Sequence, residues 1–163
     1  MLNVCLFFAL LISFITDIKE RKIYNIVTFP TMVIGLTYHT VTNGWDGLQF
    51  SFLGILTGFG LLLIPYILGG MGAGDVKLLG AIGALKGSYF VFQSFFVIAI
   101  IGGIIAFVIL LSKKEVGFFF KKVFFAMRFR TLDGLDKEDM HHAFPYGVAI
   151  VIGTLLYSGV GLV

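Results

Sequence analysis

A chain of 163 residues that is 58% hydrophobic and 13% charged, with a mean hydropathy of +1.01, is not an ordinary soluble domain, where about a quarter of residues carry charge. One core of this length cannot hide so much apolar surface, so the solvent is lipid. A net charge of +3 and a single cysteine give no nucleic-acid footprint, exclude a disulfide within the chain and leave no cysteine framework for zinc. Apolar runs near 2–16, 25–42, 50–68, 75–86, 88–112 and 144–162 predict an all-α integral membrane protein. It is expected to be one domain over residues 1–163, a six-span helical bundle with a short fourth span.

The first run, "MLNVCLFFALLISFIT", has no basic leading region and no small-residue cleavage site, so it reads as a retained membrane segment rather than a removable signal peptide. Its roughly 15 apolar residues make ~22 Å of helix, short of a hydrocarbon core of ~30 Å. The helix is therefore expected to continue through Asp17, leaving that carboxylate near membrane depth, with Cys5 as a buried filler. In the third and fourth runs "GILTG" (54–58) and "GALKG" (83–87) have the GxxxG spacing that lets helices approach closely in lipid, and packing is their preferred role. Only "KGS" separates the fourth run from the fifth, which predicts a tight helical hairpin.

After the fifth run, "KKEVGFFFKKVFFAMRFR" (113–130) repeats Lys114, Lys121 and Arg128 every seven residues, with Lys122 beside them. This basic stripe on an aromatic helix predicts an interfacial amphipathic helix between spans five and six, its cations toward anionic headgroups of the bilayer. "LDGLDKEDMHH" (132–142) reads as a solvated connector without calcium-loop spacing, and the adjacent His141 and His142 lack the spacing of metal ligands. All Lys and Arg except Lys86 fall in connections on one side of this six-span arrangement. By the positive-inside rule that side is cytoplasmic, so the chain is expected in the cytoplasmic (inner) membrane with both termini outside. His39 and Trp45 fall on the outer side and need no special role there.

The stretch "GGMGAGDVKLLG" (69–80) sets Asp75 at the entry to an apolar run, on the same side as Asp17. Of the nine acidic residues only these two lie at the ends of apolar segments within reach of the bilayer. A charge at mid-helix costs ~2.5–3.5 kcal/mol on insertion scales, which makes an intramembrane carboxylate a functional candidate. The alternative is interfacial: Asp17 pairs with Lys19 or Arg21, and Asp75 caps its helix. Composition and spacing leave both readings open. If functional, two carboxyl groups in one low-dielectric cleft divide the work, one ionised and one protonated, as in aspartic proteases. The ionised member can take a proton from a water attacking a peptide carbonyl that the protonated member polarises. The glycines before Asp75 would let non-helical backbone line such a cleft.

"GAGDVK" (72–77) resembles the GxGD signature of intramembrane aspartyl proteases, and "GGMGAGDVKLL" is close to the type IV prepilin peptidases. "DIKERKIYN" (17–25) is similar to that family's aspartate, basic turn and Ile-Pro-Asn, with Tyr24 in place of the proline. "FPYGVAI" (144–150) resembles its Pro-Phe-Gly motif. The resemblance implies cleavage of a prepilin or pseudopilin on the cytoplasmic side, just before the substrate's hydrophobic N-terminal helix. Asp17 and Asp75 would be the catalytic pair, Gly72, Gly74 and Lys77 would belong to the active-site loop, and Asn25, Pro145, Tyr146 and Gly147 would contact substrate. It further implies the short, peptidase-only form, with no metal, no cofactor and no N-methyltransferase activity. Lys77 by itself reads as snorkelling to the surface, and Pro145 as a first-turn helix proline. From other classes, the same carboxylates could serve a proton-coupled transporter or channel subunit, or the chain could be a non-catalytic membrane scaffold. No internal repeat favours the transporter. Neither the identity of the pilin nor the oligomeric state is written in the sequence.

Overall fold

The structure, a computed structural model, describes residues 1–112 and 146–160. The amphipathic helix expected at 113–130, the connector with His141 and His142, and Pro145 lie outside the described residues. Four helices account for nearly all of the rest: α1 (Leu2–Glu20), α2 (Asn25–Ile67), α3 (Ala73–Ser112) and α4 (Tyr146–Val160). Among the described residues there is no strand. Among the described residues three helices are long and apolar enough to cross a membrane, Leu2–Glu20, Asn25–Ile67 and Ala73–Val108. α4 is a shorter apolar helix.

Where separate second and third segments were expected, with a loop at 43–49, α2 is interrupted at a single residue. Gly44 has φ 58° and ψ −132°, and the helix resumes directly after it. α3 is broken in the same way at Gly87, with φ 82° and ψ 171°. At that φ a side chain would be strained, and a Cβ at Gly87 would also run into the ring of Phe50. At 1.5 Å per residue, 43 residues make a helix of about 64 Å, twice a bilayer's hydrocarbon thickness, so an unbroken α2 could not be a single transverse span.

The first arm of α3 (73–86) is the centre of the protein. Every residue from Asp75 to Leu85 except Lys77 is buried, as expected of a helix apolar on all faces. Both arms of α2 press against it. A methyl on Gly54 would lie 2.0 Å from the Gly83 carbonyl oxygen, and one on Gly83 would lie 2.1 Å from that of Gly54. The two backbones therefore touch with no side chain between them, which is the use of the GxxxG spacing. From the other arm, Gly35 meets the Ala84 carbonyl in the same way.

The last carbonyls of a helical segment have no partner within it. Just before the Gly87 break, Ser51 Oγ donates to the Ala84 carbonyl at 2.8 Å, and His39 Nε2 lies 3.1 Å from the Leu85 carbonyl. His39, expected to have no special role, thus ties α2 to α3. Leu10, Leu62, Leu79, Ile82, Ile98 and Ile150 close the core from all four helices. Outside it, Phe7, Phe8, Phe92, Phe96, Ile100 and Ile104 are all about half exposed or more, the reverse of a soluble surface. Threonine hydroxyls on α2 fold back onto carbonyls one turn earlier, Thr31 on Val27 and Thr40 on Leu36, which satisfies them without water.

Candidate active site

α1 runs through Asp17, as its length required, and ends at Arg21. Among the described residues Arg21 is the one non-glycine with positive φ (52°), and its N–H donates to the Asp17 carbonyl at 2.9 Å. The left-handed turn reverses the chain and leaves Asp17 one turn inside the helix, 5% exposed. Its carboxylate turns toward α4. Oδ2 accepts the backbone N–H of Val148 at 3.0 Å. The first N–H groups of a helix have no acceptor within it and favour negative charge, so α4 offers Asp17 a ready-made partner. The approach depends on Gly147, because a methyl there would lie 2.6 Å from Asp17 Oδ2.

Asp75 reaches the same region from the other side. α3 begins at Ala73, two residues earlier than the apolar run, so Asp75 is the third residue of the helix rather than the residue before it. Its carboxylate Oδ2 accepts the Gly72 N–H at 3.1 Å, while its own N–H donates to the Gly72 carbonyl at 3.2 Å. Reaching back to the residue before the helix is the third-position half of a capping box. Asp75 does cap its helix, and the same bond fixes where its carboxylate points. It is 8% exposed.

The two carboxylates line one open cleft of about 300 Å³, close enough that Asp75 feels the charge of Asp17. The chain reversal 21–25 forms one wall and Gly72, Ala73 and Gly74 the other. Of the residues singled out in the sequence, Asp17, Asp75, Gly72, Gly74 and Asn25 line the cleft. Gly147 stands behind Asp17. The Tyr146 ring packs on Gly102 and lies within electrostatic range of Asp75. Lys77 is not on the cleft wall: its Nζ donates to Asn25 Oδ1 at 2.9 Å and sits 5.3 Å from the centre of the Phe29 ring, so it fastens α3 to the start of α2. Pro145 lies outside the described residues.

Sequence reasoning passed over Arg21, Lys22, Ile23 and Ala73 as cleft residues. Only their closeness to Asp17 and Asp75 in the chain could have signalled them. Tyr24, which replaces the proline of the resemblance, has φ −80° and ψ 139°, within the range a proline ring would impose. Its hydroxyl donates to Glu20 one turn back, and that carboxylate raises the phenol above its ordinary value. A side-chain bond thus accompanies the conformation that a ring would fix. Among the described residues no three His, Cys, Asp or Glu converge as metal ligands. Two carboxyl groups facing one cleft can give and take protons at a group held between them.

The type IV leader peptidase family matches residues 4–112, about two thirds of the chain and both aspartate segments. The chain belongs to the type IV leader peptidase family. Among curated proteins, a preflagellin peptidase of Methanococcus voltae is 37% identical over 90 residues, covering 50% of this chain and 36% of that protein. The chain thus spans little more than a third of the relative's length. No solved structure matches. Within the leader peptidase match lie all but the first two residues of α1, and α2 and α3, with both carboxylates, whereas α4, which receives Asp17, lies beyond it.

Proposed function

We propose that this protein is a membrane aspartyl endopeptidase that removes the leader peptide of prepilins or prepilin-like proteins, with Asp17 and Asp75 as its catalytic pair. One observation carries the reading. Two buried carboxylates on different helices, each held by a backbone N–H, open onto one cleft walled by glycine backbone. Family membership and the relative named as a preflagellin peptidase support the substrate class.

In this mechanism the ionised carboxylate takes a proton from a water as its oxygen bonds to the scissile carbonyl carbon, and the protonated carboxyl gives its proton to the carbonyl oxygen. Collapse of the tetrahedral intermediate breaks the C–N bond. The leaving nitrogen takes up the proton drawn from water, and the other carboxyl recovers its own. The glycine wall lets a substrate strand lie close to the carboxylates, and Asn25 on the facing wall would meet it.

The breaks at Gly44 and Gly87 support a count of six membrane segments, with 73–86 the short fourth. The charge pattern supports a cytoplasmic cleft, outward termini and an inner-membrane location. The test is cleavage, in detergent or liposomes, of a peptide with a basic leader, a glycine at the cut site and an apolar helix. Wild type is expected to cut just before the apolar helix, and Asp17→Asn and Asp75→Asn to be folded but inactive. Full activity in either variant would refute the pair, and no cleavage by folded wild type across several such substrates would refute the function.

A further inference from the structure

The chain reversal between α1 and α2 carries one side chain that reaches both halves of the site. Ile23 Cβ lies 2.9 Å, and its carbonyl oxygen 3.0 Å, from where a methyl on Gly74 would sit. Its Cδ1 lies 3.0 Å from where a methyl on Gly147 would sit. Gly74 precedes Asp75, and Gly147 is the residue against which the Asp17 carboxylate rests. Contacts therefore run without a gap from Asp17 through Gly147, Ile23 and Gly74 to Asp75. No other side chain among the described residues approaches both glycines this closely.

We infer that Ile23 is a positioning residue that sets the separation of the two carboxylates, acting as a spacer between the backbone beside Asp75 and the backbone beside Asp17. This rests on the reading of the cleft as a peptidase site. The chemistry of the side chain suits the task. A β-branched residue has few χ1 rotamers, so the distance across it is well defined. The Tyr24 hydroxyl on Glu20 closes the turn that contains Ile23, and Lys77 on Asn25 holds the chain two residues further on. Ile23 packs against the main core as well as the cleft, so it cannot swing away freely. Glycine at 74 and at 147 then has a common reason, since either methyl would occupy space that Ile23 already holds.

Two readouts on the full chain test this. Ile23→Val deletes the methyl that faces Gly147, and Ile23→Ala removes everything beyond the Cβ that rests on Gly74, so that no branched side chain reaches from Gly74 toward Gly147. On the peptide substrate, kcat is expected to fall modestly in the valine variant and by about tenfold or more in the alanine variant, with KM little changed. The second readout needs no activity. In a Cys5→Ala background, Asp17→Cys and Asp75→Cys are joined by a short bifunctional thiol reagent, and adding Ile23→Ala is expected to slow the joining severalfold. An unchanged joining rate overturns the inference, whether or not kcat falls. Unchanged kcat in folded Ile23→Ala also overturns it. If wild type cleaves nothing, the functional reading fails and the thiol measurement alone decides the spacer. Should Ile23→Ala not fold, Ile23→Val is judged by the same two readouts.

Discussion

Replacing Gly147 by alanine probes the contact between the first helix and the last. The new methyl would stand 2.6 Å from Asp17 Oδ2 and 2.8 Å from its Cγ, where ordinary contact begins at 3.4 Å. The carboxylate must retreat by about 0.8 Å, and its 3.0 Å bond from Val148 then stretches past the usual limit of about 3.2 Å. A misplacement of about 1 Å near reacting atoms can cost on the order of 100-fold, so kcat is expected to fall by about 10- to 100-fold. The fold should survive, because overpacking of about 1–3 kcal/mol is partly offset by the better helix propensity of alanine, about 1 kcal/mol. The assay is peptide cleavage with a thermal melt of the same preparation. Gly60→Ala is the control, since nothing lies within 4 Å of a methyl there. If Gly147→Ala keeps kcat within about twofold of wild type, the dependence of Asp17 on α4 is refuted.

Gly54→Ala and Gly83→Ala each drive a methyl onto a backbone carbonyl, at 2.0 and 2.1 Å, that no rotamer change can move. Each is expected to destabilise the protein by about 3 kcal/mol or more, and an unaltered melting temperature in detergent would contradict the close contact of α2 and α3. His39→Ala removes the donor to the Leu85 carbonyl at a cost of about 1–3 kcal/mol. Because His39 lies about 20 Å along α2 from Asn25, kcat per folded molecule should stay at the wild-type value. A fall in kcat without a change in melting temperature would show that this end of the bundle reaches the cleft.

The apolar runs announced the helices well, because lipid demands long uninterrupted hydrophobic stretches and leaves little room for ambiguity. The extension of α1 through Asp17 followed from length alone. The exact breaks did not. "TNGWDG" looks like a loop, yet one glycine does all the turning, since Gly47 can then pack directly on the His39 carbonyl. The GxxxG spacings declared that helices would touch there, but not that Gly54 would meet Gly83. The polar links were the least legible. Lys77 was expected to reach for the surface, and the bond it makes there, to Asn25 52 positions away, was not legible. Ile23 showed nothing in the sequence, where an isoleucine after a basic turn is simply apolar, because its partners at 74 and 147 come together only in three dimensions.

The bond from Val148 to Asp17 spans 131 residues, nearly the whole chain. In order of synthesis the first carboxylate is made 131 residues before the group that holds it. A nascent chain that has completed α1, α2 and α3 carries both aspartates and the glycine wall, but not the N–H that orients one of them. The orientation of Asp17 thus waits for the arrival of α4.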